Sequence, residues 1–100
     1  MATQQKILFR GDVPTSSSAV YAVPSSTSAV ITNVVVANTT TTDISVTLKV
    51  GGFSIFEGSE VPANTSFVLD LKQVMNEFDA IDTFATATGI DIHISGVEIS

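Results

Sequence analysis

The 100-residue chain has no cysteine, no tryptophan, one histidine, three prolines and only 4 cationic side chains. Each shortage excludes something. Without cysteine there is no disulfide framework, no thiolate metal site and no thiol nucleophile. Lys6, Arg10, Lys49 and Lys72 lie far apart in sequence, and the formal net charge is -6. Nucleic acids and anionic membranes recruit proteins through clustered Lys and Arg, so neither is an expected partner. No apolar run approaches the ~20 residues of a membrane-spanning helix. The opening Met1-Ala2-Thr3-Gln4-Gln5 carries no apolar signal core, so no secretory leader is read there.

Charged residues make up 14% against 44% hydrophobic, whereas soluble chains average about a quarter charged. The polar side is therefore built from hydroxyls and amides, with 25 serines and threonines. Val, Ile and Phe recur throughout, which makes those hydroxyls strand surface rather than disordered chain. Asn38 and Asn64 begin Asn-X-Ser/Thr triplets but read as turn residues. The length fits one domain, 1–100, burying roughly 65% of its unfolded surface, with residues 1–5 as a flexible N-terminal arm.

Short strands punctuated by turns follow one another along the whole chain. Lys6–Arg10 is a strand closed by Gly11-Asp12, and Pro14 with three serines makes a loop. Ala19–Val23 ends at Pro24. Ser28–Ala37 is apolar on both faces, as in a central or doubly covered strand. From Ile44 to Val50 the alternation is clean, and Gly51-Gly52 turns it back into Phe53–Phe56, which ends at Glu57-Gly58. Thr65–Leu71 follows. Leu71, Val74, Met75 and Phe78 fit a helical stripe and predict one short helical turn near 72–78. Ala80–Ala87 and the Ile90-Ile92-Ile94 strand complete the pattern, with a β-bulge predicted at Ser95-Gly96 to bring Val97 and Ile99 back into phase. About eight short strands of this kind predict an all-β antiparallel sandwich, immunoglobulin-like or jelly roll.

Chemistry-bearing groups are few. His93 lies opposite the isoleucine face, with no cysteine to partner and no Gly-X-Ser-X-Gly elbow elsewhere, so it reads as a solvent-facing strand histidine. Asp79, Asp82 and Asp91, with Glu57, Glu60 and Asp70, lack the spacing of a calcium loop and read as a solvated acidic face. No catalytic, cofactor or metal residues are expected, and no enzyme. The phenylalanines are more informative. Phe53 and Phe56 fall on opposite faces of one short strand, and Phe84 is out of phase with Ile81, Thr83 and Ala85. Both arrangements fit a covered strand or an association surface.

Four stretches stand out: Tyr21-Ala22-Val23-Pro24, the strand Ala29–Ala37 closing on Asn38-Thr39, Val61-Pro62-Ala63-Asn64-Thr65 before Val68-Leu69-Asp70, and the terminal Ile94-Ser95-Gly96-Val97-Glu98-Ile99. Together they resemble small β-sandwich structural proteins of tailed bacteriophages. The likeness spans roughly residues 20–100 and departs from the family at Asn76-Glu77-Phe78-Asp79, where a small-residue-Gly-Asp turn is usual. It implies a virion component assembled in the host cytoplasm: a head decoration or cement protein, or a tail or fibre-associated subunit. The implied partners are the major capsid protein or other virion subunits, with self-association, a trimer being favoured. A receptor- or carbohydrate-binding module is the alternative. Candidate interface residues are Phe53, Phe56 and Phe84, with Gln4 and Gln5 on the arm as a strand-adding segment.

Overall fold

The computed structural model describes residues 3–100, which form eight strands and, among the described residues, no helix. The strands are β1 (Thr3–Asp12), β2 (Ser18–Ala22), β3 (Ser28–Asn38), β4 (Ile44–Val50), β5 (Phe53–Val61), β6 (Ser66–Met75), β7 (Ala80–Ala85) and β8 (Ile90–Ile99). They build two four-stranded antiparallel sheets, ordered β1-β8-β3-β6 and β2-β7-β4-β5. Apart from the β4–β5 hairpin, every connection passes from one sheet to the other. An eight-stranded double sheet wound in this order is a jelly roll, which decides between the two sandwich topologies the strand pattern allows.

Alternation explains why the sheets stack. Ile31, Val34 and Val36 of β3 and Ile90, Ile92 and Ile94 of β8 point inward from one sheet. Ile44, Val46, Leu48 and Ile81 meet them from the other, all at most 2% exposed. Two inward polar residues sit among them with partners. Asn38 donates to the carbonyls of Thr42 and Val61 at 2.8 and 2.9 Å and accepts from Thr40, which ties the β3–β4 loop to the core. Thr83 donates to the Thr47 carbonyl at 2.9 Å. No buried side-chain nitrogen or oxygen among the described residues lacks a partner, as a close-packed interior requires.

The structure revises several sequence expectations. Residues 72–75 close β6, and Asn76–Asp79 is a turn, so the helical spacing of Leu71, Val74, Met75 and Phe78 comes from something else. Between Ile31 and Asn33 of β3, the facing residues of β6 run from Gln73 to Asp70, one residue more than on β3. This bulge shifts the phase. Met75 is then fully buried while Val74 is 71% exposed on the opposite face.

The bulge predicted at Ser95-Gly96 lies instead on the neighbours of β8: Leu8 of β1 and Thr32 of β3 are the extra residues. β8 keeps its alternation, so Gly96 continues the inward row of isoleucines and Val97 faces out. A Cβ on Gly96 would overlap the Val30 carbonyl oxygen and reach within 2.9 Å of Leu8 Cδ1, so the bulged leucine occupies the room the glycine leaves.

β1 begins at Thr3 rather than Lys6. Of the arm expected over 1–5, residues 3–5 belong to β1, where Gln4 and Gln5 pair with Glu98 and Val97, and residues 1–2 lie outside the described residues. β5 runs on past Glu57-Gly58 to Val61, because a bulge there carries the strand through the turn-like pair.

Candidate functional site

Two surfaces are left apolar and uncovered by the chain itself. The first is one end of the sandwich, where the β4–β5 hairpin meets the β2–β3 and β6–β7 turns. Gly51 and Gly52 both have positive φ, 60° and 86°, as a two-residue hairpin turn of this twist requires. The amide of Gly51 donates to the Ala80 carbonyl at 2.9 Å, binding the hairpin to the start of β7. Beside it the Asn76–Asp79 turn is pinned from several sides. Phe78 N–H donates to Val23 O and Val23 N–H to Asp79 O, both at 2.9 Å. Asp79 accepts from the Asn76 amide at 3.0 Å, and Glu77 accepts from the Ser26 amide at 2.6 Å.

From this rigid end two phenylalanines project into solvent, Phe53 at 80% and Phe78 at 70% exposure. Phe78 is held at φ 69°, the left-handed region that bulky side chains avoid. Strain of this kind persists only where the surroundings over-determine it, as these hydrogen bonds do.

The second surface is the outer face of the β1-β8-β3-β6 sheet. Register places Val97, Val30 and Val74 side by side across three strands, and His93, Val35 and Val68 in a parallel row four residues along β8. Ile7, at 49%, and Val68, at 61%, are exposed with Val74. Beside the Val97 row is an open depression of ≈ 560 Å³ lined by Gln5, Ile7, Thr32, Ser95, Gly96 and Val97 among others.

Polar groups frame this face at the β1/β8 pairing. Asp12 lies directly opposite Asp91, and Arg10 opposite His93. Arg10 Nε donates to His93 Nδ1 at 3.1 Å. Asp91 is held above the ordinary carboxylate range, first by hydrogen bonding with Asp12, then by partial burial and the like charge of Asp12, with His93 opposing. His93 therefore serves a surface charge cluster and is half-buried rather than fully solvent-facing. Among the described residues no three His, Asp or Glu side chains gather to hold a metal ion.

At the edge where β1 lies over β2, Glu98 bridges the two sheets. It accepts from the Tyr21 hydroxyl and, at 3.1 Å, from Lys6 Nζ, and its side chain is 12% exposed. Tyr21's hydrogen bond, above all, holds Glu98 below the usual glutamate range; burial pulls the other way, and Lys6 adds to the lowering. Tyr21 is raised by burial and then by its bond to Glu98.

The sequence-predicted interface residues are not gathered into one patch. Phe53 is exposed at the hairpin. Phe56 turns toward β6 and meets Phe67 edge-on, ring centroids 5.6 Å apart, closing the β5–β6 side of the sandwich. Phe84 is half-buried on the outer face of the second sheet opposite Thr47, while Gln4 and Gln5 are exposed in β1. Sequence reasoning missed Phe78 and Val74, having assigned both to a helical stripe. The signal that could have found the outer face was the doubly apolar Ser28–Ala37 strand, central in its sheet yet bare on one side. No protein-family model matches the chain, and no curated protein matches it either.

Proposed function

We propose that the chain is a non-enzymatic structural subunit of a tailed-phage virion, a decoration or cement protein that docks on the capsid shell and acts as a homo-oligomer. The observation that carries this reading is the pair of exposed phenylalanines, Phe53 and Phe78, on an end locked by backbone hydrogen bonds. Exposed aromatic surface of this kind marks association, and a preformed docking end loses little freedom on binding. The jelly roll accords with it, being a frequent architecture of capsid domains, although the same fold also serves lectins and enzymes. The sequence resemblance supplies the virion, and the bare sheet face supplies a means of self-association.

The test is cosedimentation of the purified chain with heads of the phage that encodes it, stripped of their decoration layer. Saturable binding to stripped heads, lost in Phe53→Ser with the fold intact by circular dichroism, is the expected result. Binding to tails or to glycans with none to heads would move the protein to a fibre or receptor-binding role.

A further inference from the structure

We infer that the outer face of the β1-β8-β3-β6 sheet is a self-association surface whose partner is a second copy of this chain, stacked face to face about a two-fold axis parallel to the strands. The inference rests on the assembly reading and names the partner of one of its surfaces.

Edge-to-edge pairing, the other route by which sandwiches join, is blocked. All four edge strands carry an irregularity: Leu8 in β1, Val20 in β2, the Ile55 and Glu57-Gly58 region in β5 and Leu71-Lys72 in β6. Bulges on edges prevent an added strand from keeping register. Of the two outer faces, that of β2-β7-β4-β5 carries Asp82, Lys49, Ser45 and Ser54 around a single half-buried ring, Phe84. Its opposite number carries the valine rows. Four strands of about ten residues present on the order of 600 Å² a side, so a stacked pair buries near the lower limit of a specific interface.

Charge chooses the axis. A two-fold across the strands would set Asp70 of β6 against its own copy, at the row that also holds Ile7, Ser95 and Asn33. A two-fold along the strands sets β1 over β6 of the second copy and β8 over its β3. Arg10 then comes over the segment of the second copy holding Val68 and Asp70, and Asp12 and Asp91 face Ser66 and Ala37. The ~30° rotation of aligned sheets moves facing columns by about one residue, which leaves Arg10 within reach of Asp70. Shape agrees with charge. Val74, the most exposed aliphatic side chain of the face, lies over Gln5 of the second copy, at the open depression between β1 and β8.

Sedimentation equilibrium of the full chain, with no phage particles present, tests this. The wild type is expected at twice the 10.4 kDa chain mass. Val74→Asp should weaken the dimer at least tenfold, Arg10→Asp should weaken it, and the double variant Arg10→Asp/Asp70→Arg should recover it. Circular dichroism reports the fold of each. Should Val74→Asp fail to fold, the charge exchange decides alone. A monomer at all concentrations, a trimer mass, or a dimer indifferent to the charge exchange overturns the inference. None of those results touches head binding through Phe53, and lost head binding with an intact dimer overturns only the virion reading.

Discussion

Phe78 concentrates in one residue the conflict between stability and the docking role proposed for this end. It combines a left-handed backbone, φ 69°, with 70% exposure of a large apolar ring, and neither feature stabilises an isolated subunit. Non-glycine residues in this region cost roughly 1–2 kcal/mol, and Asn tolerates it through its short polar side chain. Phe78→Asn should therefore stabilise the fold by about 0.5–1 kcal/mol, seen as a higher urea midpoint, because the amide bond to Val23 O is a main-chain bond that the substitution keeps. The same change should abolish head binding. A variant that loses stability would mean the ring packs against the turn and is not held out for a partner.

At the scale of strands and their junctions, titratable groups make the clearest predictions. Glu98 joins β8 to β1 through Lys6 and to β2 through Tyr21, and so fastens the two sheets at this edge. Its folded acidity is stronger than its unfolded one, so its contribution is present above the ordinary glutamate range and lost as pH falls through its lowered folded pKa. Tyr21 is shifted the opposite way, so its contribution is present below its ordinary value of 10.0 and lost as pH rises past it. Tyr21→Phe removes the tyrosine's contribution and the larger part of Glu98's, leaving that of Lys6; it should cost about 1.5–2 kcal/mol at pH 7, as for a hydrogen bond to a charged group, and flatten the stability profile on its acid and alkaline sides. An unchanged acid limb in denaturant melts would show that Lys6 alone holds Glu98. Asp91 works against the fold instead. Being raised, it lowers stability as pH climbs through the carboxylate range, so Asp91→Asn should stabilise by a few tenths of a kcal/mol at pH 7 and not at pH 3. An equal gain at both would assign the effect to packing.

Alternation made most strands readable at this scale, since Ile44–Val50 and Ile90–Ile94 show their inward faces in sequence. Bulges were the limit. The extra residue at Leu71-Lys72 turned a two-faced strand into an imitation helix, and Leu8 and Thr32 moved a predicted irregularity off β8 onto its neighbours. A bulge depends on the partner strand, which no single segment's periodicity encodes. The candidate surfaces were half legible: Phe53 stood out by its phase, whereas Phe78 and Val74 became surface features only once the β6 bulge was known.

For the molecule as a whole, the decisive fact is that strands from the two ends of the chain are neighbours. β8 lies between β1 and β3, pairing with both along nearly its full length, so the β1-β8-β3-β6 sheet cannot close until the last strand has been placed. Such non-local pairing requires loop-closure entropy to be overcome before contacts compensate for it, and it places folding in the millisecond-to-second range of all-β sandwiches. Cooperativity should follow from the same wiring. Ile90, Ile92 and Ile94 are fully buried between the sheets, and β1 has no other strand partner in its sheet. A chain ending at Gly89 would keep the β2-β7-β4-β5 sheet formally intact, yet it would open that sheet's inner face to water and leave β1 unpaired. The expected outcome is loss of the whole thermal transition and of the far-ultraviolet strand signal. A truncated chain that still melted cooperatively would mean that the β2-β7-β4-β5 sheet is a folding unit in its own right, with β8 joining the other sheet late.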